Sequence, residues 1–179
     1  MRIEPVMPPA ADDPRRVIPD SGFVDDDGSV APGVAAALMA YDAEQATYAE
    51  TLAVLQQARL LVPVVAVAGD IEVDERGLAH DKSSDMATVL LTGRDGRMAL
   101  LAFTGLEPLR AWDSQARPVP VAAALAARAA AQDGAEALVI DVAGPTRFVI
   151  EGDDLAAVAA GWTLAKVGER TAWIRPPTE

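Results

Sequence analysis

The chain has no cysteine, no asparagine, one histidine and two lysines among its 179 residues, and aromatic side chains make up only 4% of it. Without thiols there is no disulfide, no thiolate nucleophile, no iron–sulfur cluster and no thiol-ligated zinc. A single imidazole, His80, does not assemble a histidine metal site alone. Positive charge is also scarce: Lys and Arg total 15 against 27 acids, for a net charge of −12. A phosphate backbone would meet repulsion over most of such a surface, so direct nucleic-acid binding is not expected. No apolar run approaches the roughly 18 residues that span a bilayer, and the opening MRIEPVMPPAADD lacks the apolar stretch of a signal peptide. The expectation is a cytoplasmic protein with no membrane association and no cofactor.

What is present suits one hydrophobic core. With 51% hydrophobic residues over 179 positions, a second independent core would leave each half undersized. Ala, Val and Leu must fill most of the interior, which leaves Trp112, Trp162, Trp173, Phe103 and Phe148 as packing anchors. Residues 1–33 are rich in Pro and Asp and poor in apolar periodicity, which predicts an N-terminal arm, with the domain at 34–179. Within the arm, SGFVDDDGS lacks the spacing and the closing glutamate of a calcium loop and reads as a solvated turn.

From Val34 to Arg59, Leu38, Tyr41, Tyr48, Leu52 and Leu55 share one helical face, on one bent helix or two short ones, with Asp42 and Gln45 as a capping box for the second. LLVPVVAVA (60–68) is a strand covered on both faces, with Pro63 at a bulge or where its nitrogen avoids pairing. Met86 to Thr92 and Arg97 to Phe103 flank Arg94, Asp95 and Gly96, the chemistry of a hairpin turn. Thr104 and Glu107 predict a capping box for a short helix carrying Leu106, Leu109 and Trp112 on its buried face. Pro118, Val119 and Pro120 read as an extended connector, and Val121 to Gln132 as an alanine-rich helix closed by Gly134. ALVIDV and RFVIE form a second hairpin, Asp153 caps a helix that stops at Gly161, and a last strand falls near Ala172 to Ile174. The layer rules then predict a single α+β (or α/β) domain: a mixed sheet of one leading strand and two hairpins, with helices packed on it.

RLLVPVVAV, KSSDMATVLLTGRDGRMALLAFTG, LRAWDSQARPVPV and ALVIDVAGPTRFVIEGDDL follow one another along the chain. On these motifs the chain resembles the SseB-like family, named for enhanced serine sensitivity, in its actinobacterial form. The resemblance runs from about residue 19 to 162 and includes IPDSGFVDDDGS. It implies an α/β domain of uncertain biochemical role, and it brings no catalytic residues to carry over.

Candidate contacts cluster in two places. Lys82, Ser83, Ser84 and Asp85 lack the Ser-x-x-Lys spacing of a serine–lysine enzyme, so they read as a binding loop or as a lock on the strand entry. Trp112 and Arg117 stand just before Pro118 and Pro120, and residues of these types dominate protein-recognition patches. The functional expectation is a non-enzymatic protein-binding or scaffolding module, with Lys82, Ser84, Asp85, Trp112 and Arg117 as interaction residues and no catalytic or metal residue. Two rivals stand beside it. One is a small-molecule sensor or enzyme with a pocket between loop 69–85 and connector 113–120. The other is an acidic accessory factor docking on a basic partner such as a ribosomal protein.

Overall fold

Side chains alternate across a strand, so the apolar runs at 60–64, 89–91 and 100–103 demand cover on both faces of whatever sheet they join. The computed structural model describes residues 2–5, 23, 25–67, 72–73, 79–80, 85–168 and 170–177. The first half of the chain forms β1 (Arg2–Pro5), α1 (Pro32–Asp42), α2 (Tyr48–Leu55), β2 (Arg59–Val67), β3 (Glu72–Val73), β4 (Ala79–His80) and β5 (Asp85–Thr92). The second half forms β6 (Met98–Ala102), α3 (Leu106–Trp112), β7 (Arg117–Ala122), α4 (Ala123–Gln132), β8 (Ala137–Ile140), β9 (Phe148–Glu151), α5 (Gly152–Ala159), β10 (Thr163–Val167) and β11 (Arg170–Ile174).

The main sheet has seven strands in the order β7-β2-β5-β6-β8-β9, with β1 also paired to β5. It is mixed: β6 and β8 run parallel, and the other pairings are antiparallel. Both expected hairpins are present, β5–β6 about a turn in which Gly96 has φ 83°, and β8–β9. The fold is therefore a single-domain α+β arrangement, as the sequence predicts.

Alternation sorts the core into two layers. Leu60, Val62, Leu90, Leu100, Leu138, Ile140, Phe148 and Ile150 face α1, α2, α4 and α5. Leu61, Val89, Leu91, Leu101 and Phe103 face the other way, where Leu109 of α3 covers them with Leu106 and Trp112 beside it. Phe148 is gripped by Tyr48, stacked at 4.9 Å, and by Tyr41, edge-on at 5.1 Å, which explains the stripe along residues 38–55. Of the five expected anchors, Phe103 and Phe148 are fully buried, whereas the tryptophans are half-buried.

Several local expectations change. The helical stretch breaks into two, and the capping box of the second is Thr47 with Glu50, not Asp42 with Gln45. The N-cap of α3 is Gly105, which has no side chain to cap with, and the expected Thr104–Glu107 box is not made because Asp141 takes both the Thr104 N–H and its hydroxyl. Asp153 lies inside the first turn of α5 and does not cap it. The proline-rich connector is β7, an edge strand on β2, with Pro118 opposite Pro63. Prolines lack a ladder donor, and an edge strand tolerates that loss. Inside the polar connection after Gly69, β3 and β4 form a two-residue ladder that includes His80.

The single final strand becomes a β10–β11 hairpin, held to α2 by Gln56, whose side chain accepts from the Leu164 N–H at 2.8 Å and donates to its carbonyl at 2.9 Å. Of residues 1–33, Arg2–Pro5 pairs with Val89 to Thr92, and residues 26–29 bond to the corner after β6 and to Arg59.

Candidate functional site

The parallel strands β6 and β8 end side by side, and the carboxyl ends of parallel strands are where sheets of this kind place their crevices. Beyond Ile140 the chain turns through Asp141 in a left-handed conformation, φ 53°, which aspartate tolerates better than most residues. Its carboxylate lies against the end of β6. Oδ1 accepts the Thr104 N–H at 2.8 Å and Oδ2 accepts the Thr104 hydroxyl at 2.6 Å. Both residues are 3% exposed. Burial pushes the Asp141 carboxyl above its ordinary value, and the two Thr104 hydrogen bonds pull the other way without cancelling it.

Thr104 is also held from the other side. Arg59, at the start of β2, donates from Nη1 to the Thr104 carbonyl at 2.8 Å and from Nη2 to Asp26 at 2.8 Å and to the Ser29 carbonyl at 2.6 Å. The Asp26 and Arg59 side chains are 11% and 14% exposed, so this pair is largely shielded from water. Asp26 Oδ1 also accepts the Gly28 N–H, and the Gly28 carbonyl accepts the Leu106 N–H at 2.8 Å. Gly28 has φ 75°, and a β-carbon there would lie 2.4 Å from Leu106 Cγ. The DDDGS segment, read from sequence as a solvated turn, is thus a strap over the start of α3. A continuous polar chain runs Asp26, Arg59, Thr104, Asp141.

Above that chain opens a groove of about 270 Å³. One wall is Val30 with Ala35, Leu38 and Met39 of α1; the facing wall is Glu107, Pro108 and Ala111 of α3. Ala143, Gly144, Pro145 and Thr146 close one side, and Thr104 and Asp141 supply polar atoms to an otherwise apolar lining. Met39 is 66% exposed. The two charged residues of the lining, Asp141 and Glu107, are both acids. Such a surface can seat an apolar group and present acceptors to a donor. Among the described residues, no group of three or more His, Cys, Asp or Glu is placed to hold a metal ion.

None of the five residues singled out from sequence lines this groove. Lys82 and Ser84 lie outside the described residues, as does most of the loop of the pocket expected between 69–85 and 113–120. Asp85 opens β5 opposite Val67. Trp112 packs on Phe103 with ring centroids 5.6 Å apart, on the buried side of α3 as expected. Arg117 is exposed at the start of β7, opposite Val64. Asp141, Arg59 and Asp26 were not found by sequence reasoning. An acid closing the apolar run ALVI was the available signal, since a carboxylate seldom enters a core without a partner.

Similarity to known proteins covers most of this framework: the SseB protein N-terminal domain matches residues 34–157. The chain belongs to the SseB N-terminal domain family. The matched span includes Arg59, Thr104, Asp141 and both walls of the groove apart from Val30; Asp26, Gly28 and the β10–β11 hairpin fall outside it. No curated protein and no solved structure matches the chain. Among the described residues, no helix is long and apolar enough to cross a membrane.

Proposed function

We propose that this SseB-domain protein is a non-enzymatic, cytoplasmic protein-binding module, and that its docking surface is the groove between α1 and α3. The groove itself carries this reading. It is open and mostly apolar, and its strand ends are held in place by the hydrogen bonds of Arg59 and Asp141 to Thr104, so little has to reorganise when a partner segment enters. Met39 on its rim gives an exposed and adaptable apolar contact. The volume lies near the lower end of small-molecule pockets, which keeps a sensor as the second reading.

The test is affinity capture with the full chain as bait, comparing the native protein with Met39→Arg and Ala111→Arg in the groove and with Arg117→Ala at the edge strand. Loss of the same partner in both groove variants, with retention in Arg117→Ala, supports the reading. Retention in the groove variants and loss in Arg117→Ala would move the docking surface to β7.

A further inference from the structure

We propose that the groove selects a partner segment in which an apolar side chain stands close to a cationic one, the cation being met by Asp141 and Glu107. This rests on the docking reading above and adds the chemistry of the partner.

The charge of the lining is one-sided. Asp141 and Glu107 are its charged residues, set among apolar groups such as Leu38, Met39, Pro108 and Pro145. Asp141 is also incompletely used. Each of its oxygens accepts one bond, both from Thr104, whereas an ionised carboxylate offers about four acceptor positions. Among the described residues no Lys or Arg pairs with it. Arg59, the base that reaches the same threonine, is occupied by the Thr104 carbonyl, Asp26 and the Ser29 carbonyl.

A shielded carboxylate without a counter-ion is half of an ion pair, and an incoming ammonium or guanidinium completes it. Glu107 stands exposed at the first turn of α3, where a cation would pass on entry. The whole chain carries −12, which draws cationic segments toward it and opposes acidic or phosphorylated ones.

The experiment uses the full chain and three fluorescein-labelled peptide pools, Gly-X-X-Leu-X-Z-X-X-Gly, with Z fixed as Lys, norleucine or Glu and X drawn from Ala, Ser and Gln. Binding is followed by fluorescence polarisation at low and at physiological salt. We expect the Lys pool to bind about tenfold tighter than the norleucine pool, and the Glu pool to bind weakest, with the Lys advantage shrinking as salt rises. Asp141→Asn removes most of that advantage. Glu107→Gln, an exposed change that does not threaten the fold, reduces it about threefold.

Equal binding of the Lys and norleucine pools, both lost in Met39→Arg, would overturn the cation preference and leave the docking reading standing. Binding of no pool, or binding that survives Met39→Arg, overturns both. A hexylammonium salt that displaces no peptide supports a protein partner; one that binds as tightly as the Lys pool makes the groove a small-amine site instead.

Discussion

Replacing Asp141 tests the centre of the site, and two substitutions there should diverge. Asp141→Ala strips the acceptors from the buried Thr104 N–H and hydroxyl, each costing about 1–3 kcal/mol when left unpaired. It also places alanine at φ 53°, which adds about 1 kcal/mol. The expected loss is about 3–7 kcal/mol, a large share of the roughly 5–15 kcal/mol that holds a domain folded. Asp141→Asn should stay within about 1 kcal/mol of the native protein. Its amide oxygen replaces Oδ1 toward the Thr104 N–H, its amide nitrogen donates to a hydroxyl that has turned round, and asparagine tolerates the left-handed turn.

The pH dependence has a definite sign. The folded carboxyl has its pKa raised above 3.8, mainly by burial, so the folded state holds this proton more tightly than the unfolded chain. Stability from this group is therefore present at low pH and is lost as pH rises through the folded value. The Asn variant has no such loss, so its stability relative to the native protein should improve as pH is raised from just above 3.8 and then level off. Urea unfolding of the three proteins at several pH values measures all of this. Native-like stability of Asp141→Ala, an Asn variant as weak as the Ala variant, or a native-minus-Asn difference that moves in favour of the native protein with rising pH would each refute the reasoning.

Arg59→Ala should cost about 3 kcal/mol by leaving Asp26 shielded without its guanidinium, and amide exchange at Leu106 should accelerate because its bond to Gly28 loses support. Gln56→Leu should cost about 2–4 kcal/mol, since the Leu164 N–H and carbonyl lose their partners, and faster exchange should be confined to β10–β11 and its contact with α2. Thr47→Ala should lower the urea midpoint by the equivalent of about 1 kcal/mol through loss of the α2 capping box, with no effect on peptide binding in the groove. Gly28→Ala should destabilise by more than about 1 kcal/mol, because both its φ and the approach of Leu106 exclude a β-carbon, and differential scanning calorimetry would show the lowered midpoint.

Elements whose signal is periodic were legible in the sequence. The strand at 60–64 and the two hairpins follow from alternation and turn residues, and the stripe from Leu38 to Leu55 follows from helical spacing that brings Tyr41 and Tyr48 onto Phe148. Caps were the weak point because they are chosen by competition. Thr104 with Glu107 has the right spacing for a box, yet Asp141 accepts both the Thr104 N–H at 2.8 Å and its hydroxyl at 2.6 Å, and a carboxylate in a low-dielectric setting holds these donors better than an exposed glutamate. Asp42 with Gln45 lost to Thr47 with Glu50 five residues later, where both halves of the box are made.

The site was hidden for a related reason. Its members are 26, 59, 104 and 141 in sequence, and each has an ordinary local explanation: an acid in a turn, a base after a helix, a threonine before a helix, an acid at a strand end. Only the parallel pairing of β6 with β8 sets Thr104 beside Asp141, and that pairing is long-range, made after α3, β7 and α4 have intervened. Local patterns carry no information about it. Composition was informative in one respect, since a net charge of −12 weighs against an anionic partner. The groove turns that global bias into a local one, because its lining holds two acids and no base, while Arg59, the one base in the polar chain beneath it, is paired with Asp26. That arrangement, Arg59 committed to the strap and Asp141 and Glu107 left to the groove, is what supports the proposed cationic partner.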